Sequence, residues 1–474
     1  MAEQKSPAVT EDFFDLYERH PHGIKILYHG IQIVIFKIFG YSLFTARLSS
    51  LLAGAGGIFC LYRILEGLVP QKNRFISFLV CIIFSWDIQF LYASHLARQE
   101  IYILLFFLIT INLYLRGRSH PKDNNFLLMG LICGGALGIH PNAFITALPL
   151  ILLLLRDGIK ARLSLKQGCF FLLTASLCVI FFTGLSFLFN LNFVHDYRSF
   201  GQTVGVSNTI DMKILGFFIF LKKIFHQLAG TYYLPNIKYI FLLSPLLLVL
   251  SLWDKTGKRC IIFFTLLGIS LGLIIIGKYS PPSFLFFLVP FYLALSSSFH
   301  LLWDKGLLRI IPILIALLII GLSLFQLVGE WKKENTHLES YYDNLSSCLP
   351  RGSTVLGGLI LDYYLEEEGR IYDWRNLAFL KKQSVDSYFE ERNIEYVVLS
   401  SEIPFIYQNR PTWNALYGNT ANWYPQLELF LKEEAELIGE FSSPGYGTRI
   451  APYRFNTKET TYIYQLSPTD STRE

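Results

Sequence analysis

The sequence predicts a polytopic α-helical membrane protein of about 10 spans that ends in a compact α/β domain outside the bilayer. Three observations predict this. Of 474 residues, 52% are hydrophobic and only 16% charged, whereas soluble domains carry about a quarter charged residues. Apolar runs long enough to cross the hydrocarbon layer recur from Leu43 to Val328. From Trp331 onward the pattern changes to short β-type runs among charged helical stretches.

The element order follows from these runs. Residues 24–39 (IKILYHGIQIVIFKIF) are apolar but interrupted by Lys25, His29, Gln32 and Lys37, which suits a helix lying in the interface. Spans are expected near 43–66, 75–93, 101–115, 125–139, 142–155, 168–189, 237–253, 260–277, 283–300 and 308–328. The run Ile214–Phe225 is ambiguous and is not counted as a span. After about residue 329, strands are expected at Ser353–Leu359, Tyr396–Ser400 and Thr461–Gln465, with a helix over Leu427–Leu437. The chain thus divides into an N-terminal loop with an interfacial helix (1–42), a helical membrane domain (43–328) and a soluble α/β domain (329–474).

Loop charge sets the orientation. Every second connection is basic: Arg63, Lys72 and Arg74; Arg116, Arg118 and Lys122; Arg156, Lys160, Arg162 and Lys166; Lys255, Lys258 and Arg259; Lys305 and Arg309. The positive-inside rule puts these in the cytoplasm. Residues 1–42, the Ser94–Glu100 segment, the Gly138–Asn142 turn, the 190–236 loop, the Gly277–Pro282 link and the C-terminal domain then lie outside. The net charge of +5 is dispersed over short clusters, which excludes a nucleic-acid partner. Six of the seven cysteines lie in apolar runs and no zinc-type spacing occurs.

On the outer side, sequence-distant loops gather His20-Pro21-His22, Arg98-Gln99-Glu100, His140-Pro141-Asn142 and Lys278-Tyr279. Arg98, His140, Lys278 and Tyr279 are candidate substrate contacts, the cations binding a lipid phosphate, and Glu100 is a candidate carboxylate to take the proton of an attacking hydroxyl. Each residue has a plainer reading as well. Loop histidines are commonly only solvated, Glu100 suits the start of a helix, Arg98 could snorkel, and Lys278-Tyr279 is also what an interfacial anchor looks like. Arg47 and Asp87 stand inside apolar runs, where an ion needs a partner or a water-filled cavity. The His195-Asp196-Tyr197-Arg198 run is a candidate cover for the site.

The segments HPHGIKILYHGIQIVIFKIFGYSLFTARLSSLLAG, LYASHLARQEIYILLFFL, GLICGGALGIHPNAFITALPLILLLL and GKYSPPSFLFFLVPFYLAL together resemble the GT-C glycosyltransferases of the protein O-mannosyltransferase and aminoarabinose lipid A transferase type. The resemblance runs in order over roughly residues 20–300 and rests on several weak motifs at consistent spacing. It implies inverting transfer from a polyprenyl-phosphate sugar to a glycan, lipid or protein acceptor in a bacterial-type inner membrane. It further implies a divalent metal near the first outer loop. Position by position, His20 takes the place of a metal or phosphate contact, Arg98 and Glu100 match the second-loop pair, Lys278 the phosphate-binding cation, and His140 a position where relatives often carry lysine. The family's Asp-Glu pair in the first loop is missing. Either Glu11-Asp12 substitutes for it, or the pair lies upstream of Met1 with one more helix; an outward N-terminus without a preceding helix favours the second. A transporter or flippase of lipid-linked precursors, or a GT-C-like scaffold without catalysis, are the competing readings.

Overall fold

The structure is a computed structural model that describes residues 15–16, 23–68, 74–120, 122–203, 206, 209–226, 244, 247, 249, 258–303, 306–332, 338–365, 368–380, 383–409, 420–442 and 460–467. The helical part comprises α1 (Ile26–Phe39), α2 (Leu43–Leu68), α3 (Arg74–Ser85), α4 (Ile88–His95), α5 (Glu100–Ser119), α6 (Asp123–Gly135), α7 (Ala143–Ile159) and α8 (Leu165–Phe189). It continues with α9 (Phe193–Thr203), α10 (Ile210–His226), α11 (Lys258–Ile276), a 3-10 helix at Pro281–Phe287, α12 (Leu288–Trp303) and α13 (Ile310–Trp331).

Among the described residues six helices are long and apolar enough to cross a bilayer: Leu43–Leu68, Glu100–Ser119, Leu165–Phe189, Arg259–Ile276, Pro281–Trp303 and Ile310–Gly329. The chain is therefore a polytopic helical membrane protein. The helices α3 and α4 make a seventh span if taken together, bent by 64° at their break. The expected span 75–93 is thus a broken one, and Asp87 is the reason. Its Oδ1 accepts from the backbone N–H groups of Gln89 and Phe90 at 2.9 and 3.3 Å, capping α4. The spans expected at 125–139 and 142–155 fall on α6 and α7, helices of 13 and 17 residues. The span expected at 237–253 falls almost entirely outside the described residues.

Burial sorts the helices by neighbour. The Pro281–Trp303 span is 89% buried and packs as a central post, while α8 and α13 bury only 17% and 18% of their windows and turn leucines and phenylalanines outward. A helix apolar all round and surrounded by others forms a core, and one apolar but exposed needs lipid. Between helices in a membrane, close backbone approach replaces the hydrophobic drive. At Gly130 of α6 a Cβ would lie 2.1 Å from Thr174 Oγ1 and 2.3 Å from the Phe171 carbonyl oxygen of α8. Gly268 of α11 approaches the Pro149 backbone of α7 as tightly, at 2.4 Å.

The basic connections gather at one end of the bundle, where Asp157 is fully buried. It receives Arg156 Nη1 at 2.6 Å, Arg118 Nε at 3.4 Å and the Tyr114 hydroxyl at 2.5 Å. Nearby, Glu66 pairs with Arg63 and Arg74, and Asp123 with Lys166. These pairs tie the connections at this end together.

The C-terminal part contains α14 (Leu338–Ser346), β1 (Thr354–Gly357), α15 (Asp362–Leu365), β2 (Arg370–Asp373), α16 (Val385–Arg392), β3 (Tyr396–Ser400), α17 (Glu402–Asn409), α18 (Tyr424–Glu434), β4 (Ala435–Ser442) and β5 (Thr460–Leu466). The strands form one sheet in the order β2-β1-β3-β5-β4, with β1, β2 and β3 parallel and β5 antiparallel to both neighbours. Parallel strands demand crossovers, and α15 and α16 provide them. Helices cover the sheet around cores that include Trp423, Tyr388 and Leu356 on one side and Tyr341, Val355 and Ile463 on the other. The helix expected over Leu427–Leu437 ends at Glu434, because Ala435–Ser442 pairs with β5 as a strand. This domain meets the membrane part at the α1–α2 link, where Tyr41 stacks on Tyr363 with centroids 5.6 Å apart and rings 7° from parallel.

Candidate active site at the end opposite the basic loops

Glu100 opens α5, and its acidic side chain belongs there because the first turn of a helix presents unpaired N–H groups. Two residues earlier, Arg98 reaches back to it in a fork. Its Nε donates to Glu100 Oε2 at 3.0 Å and its Nη2 to Oε1 at 2.6 Å. Glu100 is buried, while a third of the Arg98 side chain is exposed. The carboxylate therefore faces the guanidinium, and the guanidinium faces outward.

Tyr28 of α1 fixes the turn that carries this pair. Its hydroxyl donates to the Ala97 carbonyl oxygen at 2.5 Å and accepts from Gln32 Nε2 at 2.9 Å. Its ring meets Tyr102 edge-on at 5.6 Å. Burial, reinforced by Tyr102 and Glu100, raises the Tyr28 hydroxyl well above the usual tyrosine value, so it remains a protonated donor. Neither Tyr28 nor Tyr102 was among the expected site residues. The i, i+4 spacing of Tyr28 and Gln32 on the interrupted apolar helix is the signal that could have found them.

Lys278 arrives from the loop after α11. Gly277 has φ +73°, a left-handed conformation that lets the chain leave α11 sharply. The following 3-10 helix packs against α4 and α5, with Gln89 Nε2 donating to the Pro281 carbonyl oxygen at 3.4 Å. Lys278 is exposed to solvent, with protein packed around its loop. That surrounding protein first, and the Arg98 guanidinium second, push its ammonium below the ordinary lysine value, while Glu100 pulls it back up. Two cations and one carboxylate thus share one electrostatic site.

Tyr279 is an anchor. Its hydroxyl donates to the Lys213 carbonyl oxygen of α10 and its ring lies near Phe217 and Phe220, at 6.1 and 5.6 Å. Lys213 Nζ in turn donates to the Ile275 carbonyl oxygen. The described part of the 190–236 loop therefore forms α9 and α10, and α10 is docked on the site loop.

His140 follows a 3-10 turn at Ala136–Gly138 that packs against α1, α5 and α8. Its Nδ1 accepts from the Asn142 N–H at 3.0 Å. In the neutral ring the proton then resides on Nε2, the form that can donate to an anion. Helix α1 touches the Ala136–Gly138 turn that precedes His140 and, through Tyr28, the Ala97 carbonyl beside the Arg98 pair.

Arg47 and Asp87 were each expected to find a partner or a water-filled cavity. The Arg47 side chain is exposed on α2, so it holds no buried pair. Asp87 finds its partners in protein: beyond its capping bonds it accepts from the Tyr292 hydroxyl at 2.9 Å. His20, Glu11 and Asp12 lie outside the described residues.

Among the described residues no group of three or more His, Cys, Asp or Glu side chains could hold a metal ion. Glu100, the acid nearest the cluster's cations, is already held by Arg98 through both oxygens. The described side chains do not fit a metal centre.

Residues 20–187 match the family model for dolichyl-phosphate-mannose-protein mannosyltransferase. No curated protein sequence matches. Among solved structures, the chain is similar to ArnT from Cupriavidus metallidurans bound to undecaprenyl phosphate, with TM-score 0.52, 12% identity, and coverage of 94% of this chain and 88% of that one. The apo state of the same protein gives TM-score 0.51 at 13% identity, covering 96% and 90%. The Archaeoglobus fulgidus oligosaccharyltransferase in complex with Zn and sulfate gives 0.50 at 13%, covering 93% of this chain and 66% of that one. At such identities the structural likeness is one of fold. The motifs read over residues 20–187 thus have a family-model match, and the architecture as a whole has the fold of these solved structures.

Proposed function

We propose that this GT-C fold transfers a sugar from a polyprenyl-phosphate carrier to an acceptor hydroxyl at the outer face of a bacterial-type inner membrane, with the C-terminal α/β domain on that same outer side. The observation that carries the reading is the Arg98–Glu100 fork beside Lys278 at the start of a membrane helix. Paired cations at a membrane surface suit a phosphodiester whose tail lies in the bilayer and whose head faces water.

The roles divide by geometry. Arg98 and Lys278 hold the carrier phosphate, with His140 contributing its Nε2–H. As the glycosidic C–O bond breaks, negative charge grows on the phosphate, and these donors stabilise the departing polyprenyl phosphate. The acceptor oxygen attacks the anomeric carbon from the opposite face and inverts it, and its proton passes to a carboxylate. Glu100, with both oxygens bound by Arg98, positions that arginine. The base is an acidic residue of the N-terminal loop, Glu11 or Asp12. A divalent metal at His20 would add charge stabilisation there, and no step above depends on it.

Native mass spectrometry of the full chain in nanodiscs tests the phosphate assignment. Undecaprenyl phosphate should bind and undecaprenol should not, and the difference should vanish in Arg98→Ala/Lys278→Ala. Equal binding of both lipids to the unaltered protein would overturn the assignment.

A further inference from the structure

The chain on the two sides of the first loop is held by different parts of the molecule. On one side, Asp15 accepts from the Tyr388 hydroxyl at Oδ1 (2.9 Å) and from Arg392 Nε at Oδ2 (2.7 Å), partners 373 and 377 positions away in sequence. The Leu16 N–H donates to Asn376 Oδ1 at 3.4 Å. On the other side, the Gly23 N–H donates to Ser186 Oγ at 2.8 Å, and Ser186 Oγ donates to the Phe182 carbonyl oxygen at 2.9 Å within α8.

The socket for Asp15 is built into the C-terminal domain. Tyr388 is fully buried in that domain's core, and the Arg392 guanidinium lies over its ring at 4.9 Å. A bound carboxylate here uses both oxygens on rigid donors, and burial together with Asp15 raises the Tyr388 hydroxyl above its usual value, keeping it a donor. Holding one chain end against a domain so distant in sequence costs loop-closure entropy, which a loose surface pair would not offset. Between Leu16 and Gly23 the chain spans at most about 25 Å.

We infer that Asp15 is a positioning residue: through Arg392 and Tyr388 it pins the N-terminal segment to the C-terminal domain. That domain and α8 then fix the two ends of the first loop. The domain's role is thus to set the geometry of the site from outside the membrane, and only its effect on turnover rests on the proposed function. The pin itself is independent of it.

Hydrogen–deuterium exchange of the full chain in nanodiscs reads the pin directly. In Asp15→Ala, which leaves the C-terminal domain's own residues untouched, exchange of peptides over residues 15–24 should rise by at least about tenfold, since the bonds to both Tyr388 and Arg392 are lost. Peptides over Tyr396–Ser400 should not change. Arg392→Ala should do the same, and the reversed pair Asp15→Arg/Arg392→Asp should recover most of the protection. Unchanged exchange in Asp15→Ala overturns the inference. Donor kinetics form a separate arm: the pin should show as a raised donor KM with kcat nearly kept, restored by the reversed pair. If the unaltered chain consumes no polyprenyl-phosphate sugar, the proposed function fails, and the exchange result still decides the pin.

Discussion

Replacing Glu100 by glutamine separates a base from a positioning residue. Both Glu100 oxygens accept from Arg98, at 3.0 and 2.6 Å, in a carboxylate only 9% exposed. Bonds to charged groups contribute about 1.5–3 kcal/mol; with Arg98 about a third exposed, screening places this pair toward the lower figure. Losing the fork should therefore raise the donor KM by about 10-fold. Glutamine also removes the charge that lifts the Lys278 pKa and leaves Arg98, which depresses it. The ammonium form binds phosphate, so donor affinity persists below the Lys278 pKa and is lost as pH rises through it. In Glu100→Gln that alkaline limb should move to lower pH. The assay is initial-rate consumption of a polyprenyl-phosphate hexose by nanodisc-embedded protein at varied donor, from about pH 6 to about pH 10. A base would instead lower kcat by about 10²–10⁴-fold. Such a fall in kcat, with KM and the alkaline limb unchanged, would refute the positioning role.

Lys278→Arg replaces a titrating cation by one that stays charged, so the alkaline limb should disappear; its survival would assign the limb to another group. Asp87→Ala removes the α4 cap, about 1 kcal/mol, and orphans the Tyr292 hydroxyl, about 1–3 kcal/mol; thermal unfolding in detergent should report a loss of about 2–4 kcal/mol without a change in donor KM. Gly130→Ala drives a Cβ to within 2.3 Å of a backbone oxygen of α8 and should lower stability by about 1–3 kcal/mol, with a wild-type melting curve as the contrary result.

The membrane character and the start of α5 were legible because each depends on local pattern: a run of apolar side chains, and an Arg-x-Glu at its boundary. The helix expected over 24–39 was legible for the same reason and is α1 at Ile26–Phe39. Strand β3 was read at its full extent, Tyr396–Ser400, because it is a buried β-branched run. The strand β4 was hidden, since its half-exposed sequence AELIGEFS continues the charged pattern of the preceding helix and only its pairing with β5 makes it a strand. The fates of Arg47 and Asp87 were likewise illegible. A lone charge in an apolar run announces that it needs a solution, but exposure in one case and a tyrosine 205 positions away in the other are tertiary facts. Tyr28 was missed because a tyrosine in an interfacial helix is ordinary until the Ala97 carbonyl appears opposite it.

The most direct test of the central claim is release of free polyprenyl phosphate from polyprenyl-phosphate sugars by the purified chain reconstituted in liposomes. Time-dependent release that disappears in Arg98→Ala and in Lys278→Ala is the result predicted. Lipid-linked sugar that crosses the bilayer without loss of its sugar, or a donor pool left intact in every orientation, would contradict it.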